Sequence, residues 1–495
     1  MKKSELLKKN KIHEKYDALW QLYAACYEGI KEMIDAGVIK QHERESAKNW
    51  ECRKEEACSF GYAKTVVDMY HHYLHSKPDK NDYGNLKTDD LFARFQNDCN
   101  LEGVSWVEYR NRCQRNASIY GVIGLLVDMG QGSAETREVM LKEGFYPYVS
   151  MYAPANILDW EYKRNPLTNR PTLKMLKLKE ENGDVVVWTP DTWERYEIKD
   201  DQKDGDDLTP IAQGINKLKE IPFVWFENLS HREQKNVGIS DLSIIAYLES
   251  SIVRDISHAN EVIKWAAFPM LMKPLKEINA ATGQAEDEDT VGVTGIITFN
   301  PEHGEGGKPA WLVPAVSEAM QAVCDWIGIK IKEIFRTALL GDIPTVEGSQ
   351  QAASGESLKR EFQILNALLC NKSAKEVAAE TAVIRLWCKW LDLKDAFDSV
   401  SISRTDDYSI ADLQTDLANV MTAKTVLPIK EFLQPLMKRM VRVVLPGLSE
   451  DEQTVLDDAI DAYDFSPVSM IPGMNSGDGN TDEETDNKKD DEQAA

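Results

Sequence analysis

His71, His72 and His75 fall in "YHHYLH", and His71 and His75 stand four apart in a helical stretch. That spacing puts two imidazoles on one helix face, where they could share a zinc ion. A zinc protease helix needs glutamate directly after the first histidine, and His72 stands there instead. A surface or subunit-contact face fits the trio better. "DDQKDGDDLTPI" opens like a calcium loop, with Asp200, Gln202, Asp204 and Gly205. Its twelfth position is Ile211, where a bidentate glutamate is required, so a solvated turn is expected. Gly304, Gly306 and Gly307 precede Lys308 and Pro309 rather than a helix start, which makes a hairpin turn and not a phosphate loop. The sequence has no Gly-x-Ser-x-Gly, and the serines of "EGSQQAASGES" have no neighbouring histidine. No catalytic residue, metal ligand or cofactor is predicted. The chain does not read as an enzyme.

The elements around these residues are more informative. The 495 residues are 42% hydrophobic and 28% charged, with net charge −24, so a basic nucleic-acid-binding surface is not the default reading. Solubility is the simplest account of the charge. None of the eight cysteines forms a C-x-x-C pair, and Cys324, Cys370 and Cys388 lie in apolar helical pattern; reduced thiols are expected. The N-terminus lacks an apolar signal core, and no apolar run approaches the roughly 18 residues of a membrane span, so a soluble intracellular chain is expected.

The fold class expected is α+β, mainly helical. Residues 13–76 and 89–118 read as helices, the first stopping at Gly37, with Trp106, Tyr109 and Cys113 on one face of the second. "YGVIGLLVDMG" (120–130) and "IPFVWFENL" (221–229) read as buried strands. Asn182-Gly183 between alternating segments predicts a type I′ hairpin. From Ser240, a good N-cap, to Phe268, apolar residues Ile245, Leu248, Ile252, Ile256, Ala259 and Ile263 make one narrow stripe on a helix of roughly 43 Å. A second such helix runs over 315–340, with Val316, Met320, Val323, Ile327, Ile331, Ile334 and Ala338. Between them lies a β-rich tip, in which "TVGVTGIITF" and "AWLVP" read as strands. A polar stretch, "GDIPTVEGSQQAA", then leads to a third long helix that has Ser354 as N-cap. "SVSISR" looks strand-like, three helical segments follow between 408 and 463, and the acidic end should be disordered.

Two long helices with narrow stripes should pack side by side with copies of themselves. About a dozen helices at the usual interaxial spacing of about 10 Å enclose a hole of roughly 28 Å, wide enough for a DNA duplex. The order of elements resembles the portal (head–tail connector) protein of tailed double-stranded DNA bacteriophages. The likeness rests on four stretches in order: "YGVIGLLVDMG", "YPYVSMYAPANILDWEY", "IPFVWFENLSHREQKNVGISDLSIIAYLESSIVRDISHANEVIKWAAFPML" and "SGESLKREFQILNALL". They span roughly residues 100–395, and none is a catalytic signature.

The resemblance implies a wing over 1–239, a stem helix over 240–272, a clip over 273–314, a second stem helix over 315–340 and a tunnel loop over 341–353. It further implies a wing helix and strand over 354–406, a helical crown over 407–463 and a disordered acidic tail over 464–495. Val346, Glu347, Gly348, Ser349, Gln350 and Gln351 would then face the channel. This loop departs from the family in having no large aromatic or basic tip, which suits DNA that must slide. Ile245, Leu248, Ile252, Ile256, Ile263, Val323, Ile327 and Ile331 would be stem contacts between subunits.

The implied partners are copies of the chain in a ring of about 12, the major capsid protein, scaffold if present, the terminase large subunit, a head–tail adaptor and the DNA in transit. No membrane partner is implied. The implied location is a unique capsid vertex of the virion, after assembly in the host cytoplasm. Two other classes fit the same composition: another virion structural or scaffold-like protein, and a metal-dependent enzyme built from scattered carboxylates.

Overall fold

The computed structural model describes residues 1–43, 45–130, 136–199, 202–267, 271–274, 296–299, 316–340, 355–405, 408, 422, 429–445, 448 and 450–463. The chain divides into two units, Met1–Tyr408 and Ser409–Ala495.

The first unit opens with helices α1 (Lys3–Leu6), α2 (Lys11–Glu28), α3 (Ile30–Asp35), α4 (Ala47–Glu55) and α5 (Tyr62–Leu74). Asn10 caps α2, accepting a hydrogen bond from the Ile12 amide, and Gly29 at φ +125° ends it. Gly29 divides the expected helix, and its second part, α3, ends at Asp35, two residues before Gly37, the stop read from the sequence. Buried Val66, Val67, Tyr70 and Leu74 turn one face of α5 into the core. Next come α6 (Asp90–Asn97) and α7 (Trp106–Tyr120), capped by Asp89 and Ser105. The loop between them interrupts the helix expected over 89–118. Trp106, Tyr109 and Cys113 all face inward.

Strand β1 (Val122–Asp128) is buried along almost its whole length, as an unbroken apolar run requires. After α8 (Arg137–Glu143), β2 (Tyr148–Tyr152) pairs antiparallel with one edge of β1. Then β3 (Ile157–Arg164), β4 (Pro171–Lys179), β5 (Val185–Trp188), β6 (Thr192–Tyr196) and β7 (Ala212–Ile215) form a five-stranded antiparallel meander in sequence order. The next strand, β8 (Phe223–Glu227), pairs with the other edge of β1.

The β4–β5 turn differs from the expected type I′. Only Gly183 has positive φ, at +93°, and the Gly183 amide donates to the Glu180 carbonyl. Asn182 instead uses its side chain, accepting from the Asp184 amide at 3.0 Å. The loop therefore has three residues between the paired Glu180 and Asp184.

Helix α9 (Ile245–Ala267) is followed by β9 (Leu271–Pro274), β10 (Ile296–Phe299) and α10 (Val316–Thr337). Ser240 does not cap α9. Residues 241–244 form a turn, and the Ser240 hydroxyl accepts from the Leu242 amide while donating to the Ile119 carbonyl. β9 and β10 pair in parallel, so the strand within "TVGVTGIITF" has a partner that begins at Leu271, inside the expected stem range. "AWLVP" lies outside the described residues.

Helix α11 (Gly355–Trp390), about 54 Å long, lays its last turns across the three-stranded sheet. Trp387 Nε1 donates to the Pro147 carbonyl at 3.1 Å and Trp390 Nε1 to that of Val127 at 2.8 Å. The Ser354 cap lies outside the described residues. After the short α12 (Lys394–Phe397), "SVSISR" contributes only a single bridge, Ser401 to Asp82. No disulfide joins any of the eight cysteines; Cys388 is buried, Cys370 half-buried and Cys324 exposed, against the core reading of the last.

In the second unit, α13 (Lys430–Val444) and α14 (Glu450–Ala462) run antiparallel. Lys438 pairs with Asp461 and Arg442 with Asp457. The first of the three helical segments expected there, and the acidic tail, fall outside the described residues. Among the described residues no helix is long and apolar enough to cross a membrane.

Candidate subunit-contact and channel surfaces

The two stem-like helices α9 and α10 pack as an antiparallel pair. Lys330 Nζ bridges them, donating to Ser251 Oγ at 2.7 Å and to Asp255. Their apolar stripe, however, is covered from within the chain. Ile245, Ile252, Ile256, Ile331, Ile334 and Ala338 are buried in one cluster with Trp20, Val66, Tyr70 and Leu369. Leu248 and Ile327 pack on its border. Ile245, Ile252, Ile256 and Ile331, expected from the sequence as contacts between subunits, are thus covered within the chain, while Leu248 and Ile327 are half-buried. Residues of α2, α5 and α11 share that cluster. Of the remaining two residues, Val323 is half-buried and Ile263 is 47% exposed.

A second apolar face stays open. Ile244 and Tyr247 near the start of α9, and Trp326 and Ile329 on α10, are each more than half exposed. Trp326 lies under the Lys330 ammonium, 5.2 Å from its ring centroid. The sequence carried this signal: α10 has apolar residues on two faces, which calls for two partners. A search for one narrow stripe passes over it.

Buried ion clusters tie α11 to α7, to the segments at Asp79 and Arg404, and to the turn before α9. Arg110 pairs with Asp79, with Glu376 at 2.8 Å and with Glu380 at 3.3 Å. Arg404 joins the same three carboxylates. Glu380 also accepts from Tyr83 at 2.9 Å, Trp106 at 3.1 Å and Asn81 at 3.2 Å. Burial raises the Glu376 pKa against the pull of the two guanidiniums. Nearby, Lys372 is fully buried, ion-paired to Asp241, bonded to Asn228 at 3.0 Å and stacked over Tyr70 at 4.8 Å. Burial lowers its pKa and Asp241 opposes the shift. These carboxylates spend their lone pairs on fixed protein donors, an arrangement that positions helices rather than transfers protons.

His71 and His75 stack edge to face at 4.5 Å, and both are half-buried. Burial holds His71 down to about 4 and His75 to about 3. Of the three, His72 is exposed. Among the described residues no group of three His, Cys, Asp or Glu could hold a metal ion. The supposed calcium loop instead holds the N-terminus, through Lys3 N to Asp206 O and Ser4 N to Asp204 O.

Val346, Glu347, Gly348, Ser349, Gln350 and Gln351 lie outside the described residues. The structure shows the anchors on either side. Tyr70 OH donates to the Ala338 carbonyl at 2.6 Å, Leu340 is buried, and α11 begins at Gly355.

No protein-family model and no curated protein matches the chain. Among solved structures, the chain is similar to one from an assembly described as the neck of an empty GTA particle computed with C6 symmetry. Identity is 12% and the TM-score 0.35, over 85% of this chain and 95% of that one. A TM-score of that size does not establish a shared fold.

Proposed function

We propose that this chain is the subunit of a portal, a ring of about 12 copies at one capsid vertex that passes DNA during packaging and ejection. The observation that carries the reading is the α9–α10 pair. One apolar face packs into the subunit, and a second, with Ile244, Tyr247, Trp326 and Ile329, is left for a neighbour. A symmetric ring covers such a face on every copy.

In this reading 240–272 and 315–340 are the stem, and 273–314 is the clip that docks terminase and later a head–tail adaptor. Residues 407–463 are the crown, facing the capsid interior. Residues 1–239 and 354–406 are the wing, next to the major capsid protein and any scaffold. The 341–353 segment, with Val346–Gln351, is the tunnel loop. The protein acts without catalysis or cofactor, in the virion, after assembly in the host cytoplasm.

Particle assembly with and without the chain tests the reading. Omission should leave capsids that contain no packaged DNA. DNA-filled particles formed in its absence would overturn it.

A further inference from the structure

The hairpin of β3 and β4 extends beyond the meander it belongs to. Ile157, Leu158 and Trp160 are buried at its root, and so are Leu176, Lys177 and Leu178. β5 pairs with β4 only over residues 176–179. From Glu161 to Met175 the two strands pair only with each other. Tyr162 OH still accepts from Asn236 Nδ2 at 3.4 Å, and Leu173 and Met175 pack on neighbouring clusters. The part that stands clear is Lys163–Thr172, about 7 Å of paired strand before the turn is counted. A two-stranded ribbon is marginal in water by itself. This one is stiffened at the tip. Asn165 Oδ1 accepts from the amides of Leu167, at 2.9 Å, and Thr168, at 3.3 Å, while Asn165 N donates to the Arg170 carbonyl.

The arm differs in chemistry from the rest of the chain. It carries Lys163, Arg164, Arg170 and Lys174 against one acid, Glu161, in a protein of net charge −24. At its end Leu167 is 93% exposed, with Tyr162 also exposed on the shaft. A rigid tip that holds a leucine in water, ringed by cations, suits an apolar seat bordered by acids. Phosphate contacts would have no use for the leucine.

The same chain displays such a seat. At the loop leading into α7, Leu101 and Val107 are exposed, and Glu102 and Glu108 beside them are exposed acids. Leu101 is held at φ +64° by a loop closed through Asp98, whose carboxylate accepts from the Gly103 amide at 2.9 Å.

We propose that the β3–β4 arm docks on a second copy of this chain, with Leu167 seated against Leu101 and Val107 and with Arg164 and Arg170 facing Glu102 and Glu108. Different patches meet on the two copies, so the contact is heterologous and propagates around a ring. The inference rests on the self-assembly reading above and names one contact within it.

The test uses the full chain, with mass photometry over a concentration series in low and moderate salt. Arg164→Glu with Arg170→Glu, and separately Leu167→Ser, should raise the concentration for half-assembly at least tenfold. Thermal unfolding should not change, because these side chains are exposed. Adding Glu102→Lys and Glu108→Lys to the double arm variant should restore most of the assembly. Wild-type assembly with unaffected arm variants overturns the inference and leaves the portal reading standing. A wild-type chain that stays monomeric overturns both. A short DNA duplex is the second probe. Duplex binding lost in the double arm variant, with assembly unchanged, would make the arm a nucleic-acid contact and overturn the proposal.

Discussion

A Cβ atom placed on Gly238 would lie 1.9 Å from the carbonyl oxygen of Gly121. Both glycines have positive φ, +65° and +88°. Gly121 ends α7 just before β1, and Gly238 stands just before the turn that leads into α9. Their contact ties the buried strand to the entry of the long helix. Asn228 strengthens the junction, donating from Nδ2 to the Ile239 carbonyl and accepting at Oδ1 from Lys372.

Gly238→Ala should therefore cost about 3–5 kcal/mol, through steric overlap with backbone and an unfavourable φ together. Chemical denaturation of the purified variant measures it. A cost below 1 kcal/mol would mean the two segments separate easily.

Lys372→Met leaves Asp241 buried without its cation and should cost about 3–5 kcal/mol. Lys372→Met with Asp241→Asn should recover a large part, since no uncompensated charge remains. Equal losses in the single and double variants would contradict this account of the pair.

Substitutions on the two faces of α9 and α10 should separate folding from assembly. Ile252→Ala opens a cavity in the subunit core and should cost about 2–5 kcal/mol. Trp326→Ser and Ile329→Asp should leave unfolding of the monomer nearly unchanged and weaken assembly. Denaturation and sedimentation on the same samples check this. A large loss of monomer stability in the exposed-face variants would place that face inside the fold.

Acid should destabilise the protein from about pH 6.5 downward. Burial holds His13 and His71 to about 4 and His75 to about 3. Asp68 and Asp79 pull the latter two up, while Arg115, Arg110 and Arg404 push them further down. Each folded pKa lies below its unfolded value, so the unfolded chain takes up protons first as pH falls. Stability is then lost at up to about 1.4 kcal/mol per pH unit for each histidine. Asp128 acts in the opposite sense. Burial pushes its pKa up to about 6, so below that pH the folded state binds the extra proton and offsets one histidine. The three histidines together contribute up to about 4 kcal/mol per unit between pH 6 and 5. Asp128, with Glu376, Glu180 and Glu249, whose pKa values burial also raises, reduces that slope. Denaturation at both pH values for wild type and for His71→Asn with His75→Asn measures it, and the variant should show a clearly flatter dependence.

Much of the framework was legible because single signals were strong. β1 and β8 are short apolar runs, α9, α10 and α11 are long periodic ones, and each appears close to its expected range. The stripe through Ile252 and Ile331 was legible as a buried face. Periodicity does not say whose atoms cover a face, and α2 and α5 cover this one. The ion cluster of Asp79, Arg110, Glu376, Glu380 and Arg404 had no sequence signal, since its members stand up to hundreds of positions apart without a spacing rule. The hairpin at Asn182-Gly183 was legible as a turn. Its type depended on an Asn side chain that bonds locally instead of adopting positive φ.

The central claim is a closed ring built from this one chain. Negative-stain imaging of the purified full-length protein, with its mass in solution, tests it most directly. The account predicts symmetric rings of about 12 copies with a central hole wide enough for a DNA duplex. A stable 56.0 kDa monomer at micromolar concentration would contradict it.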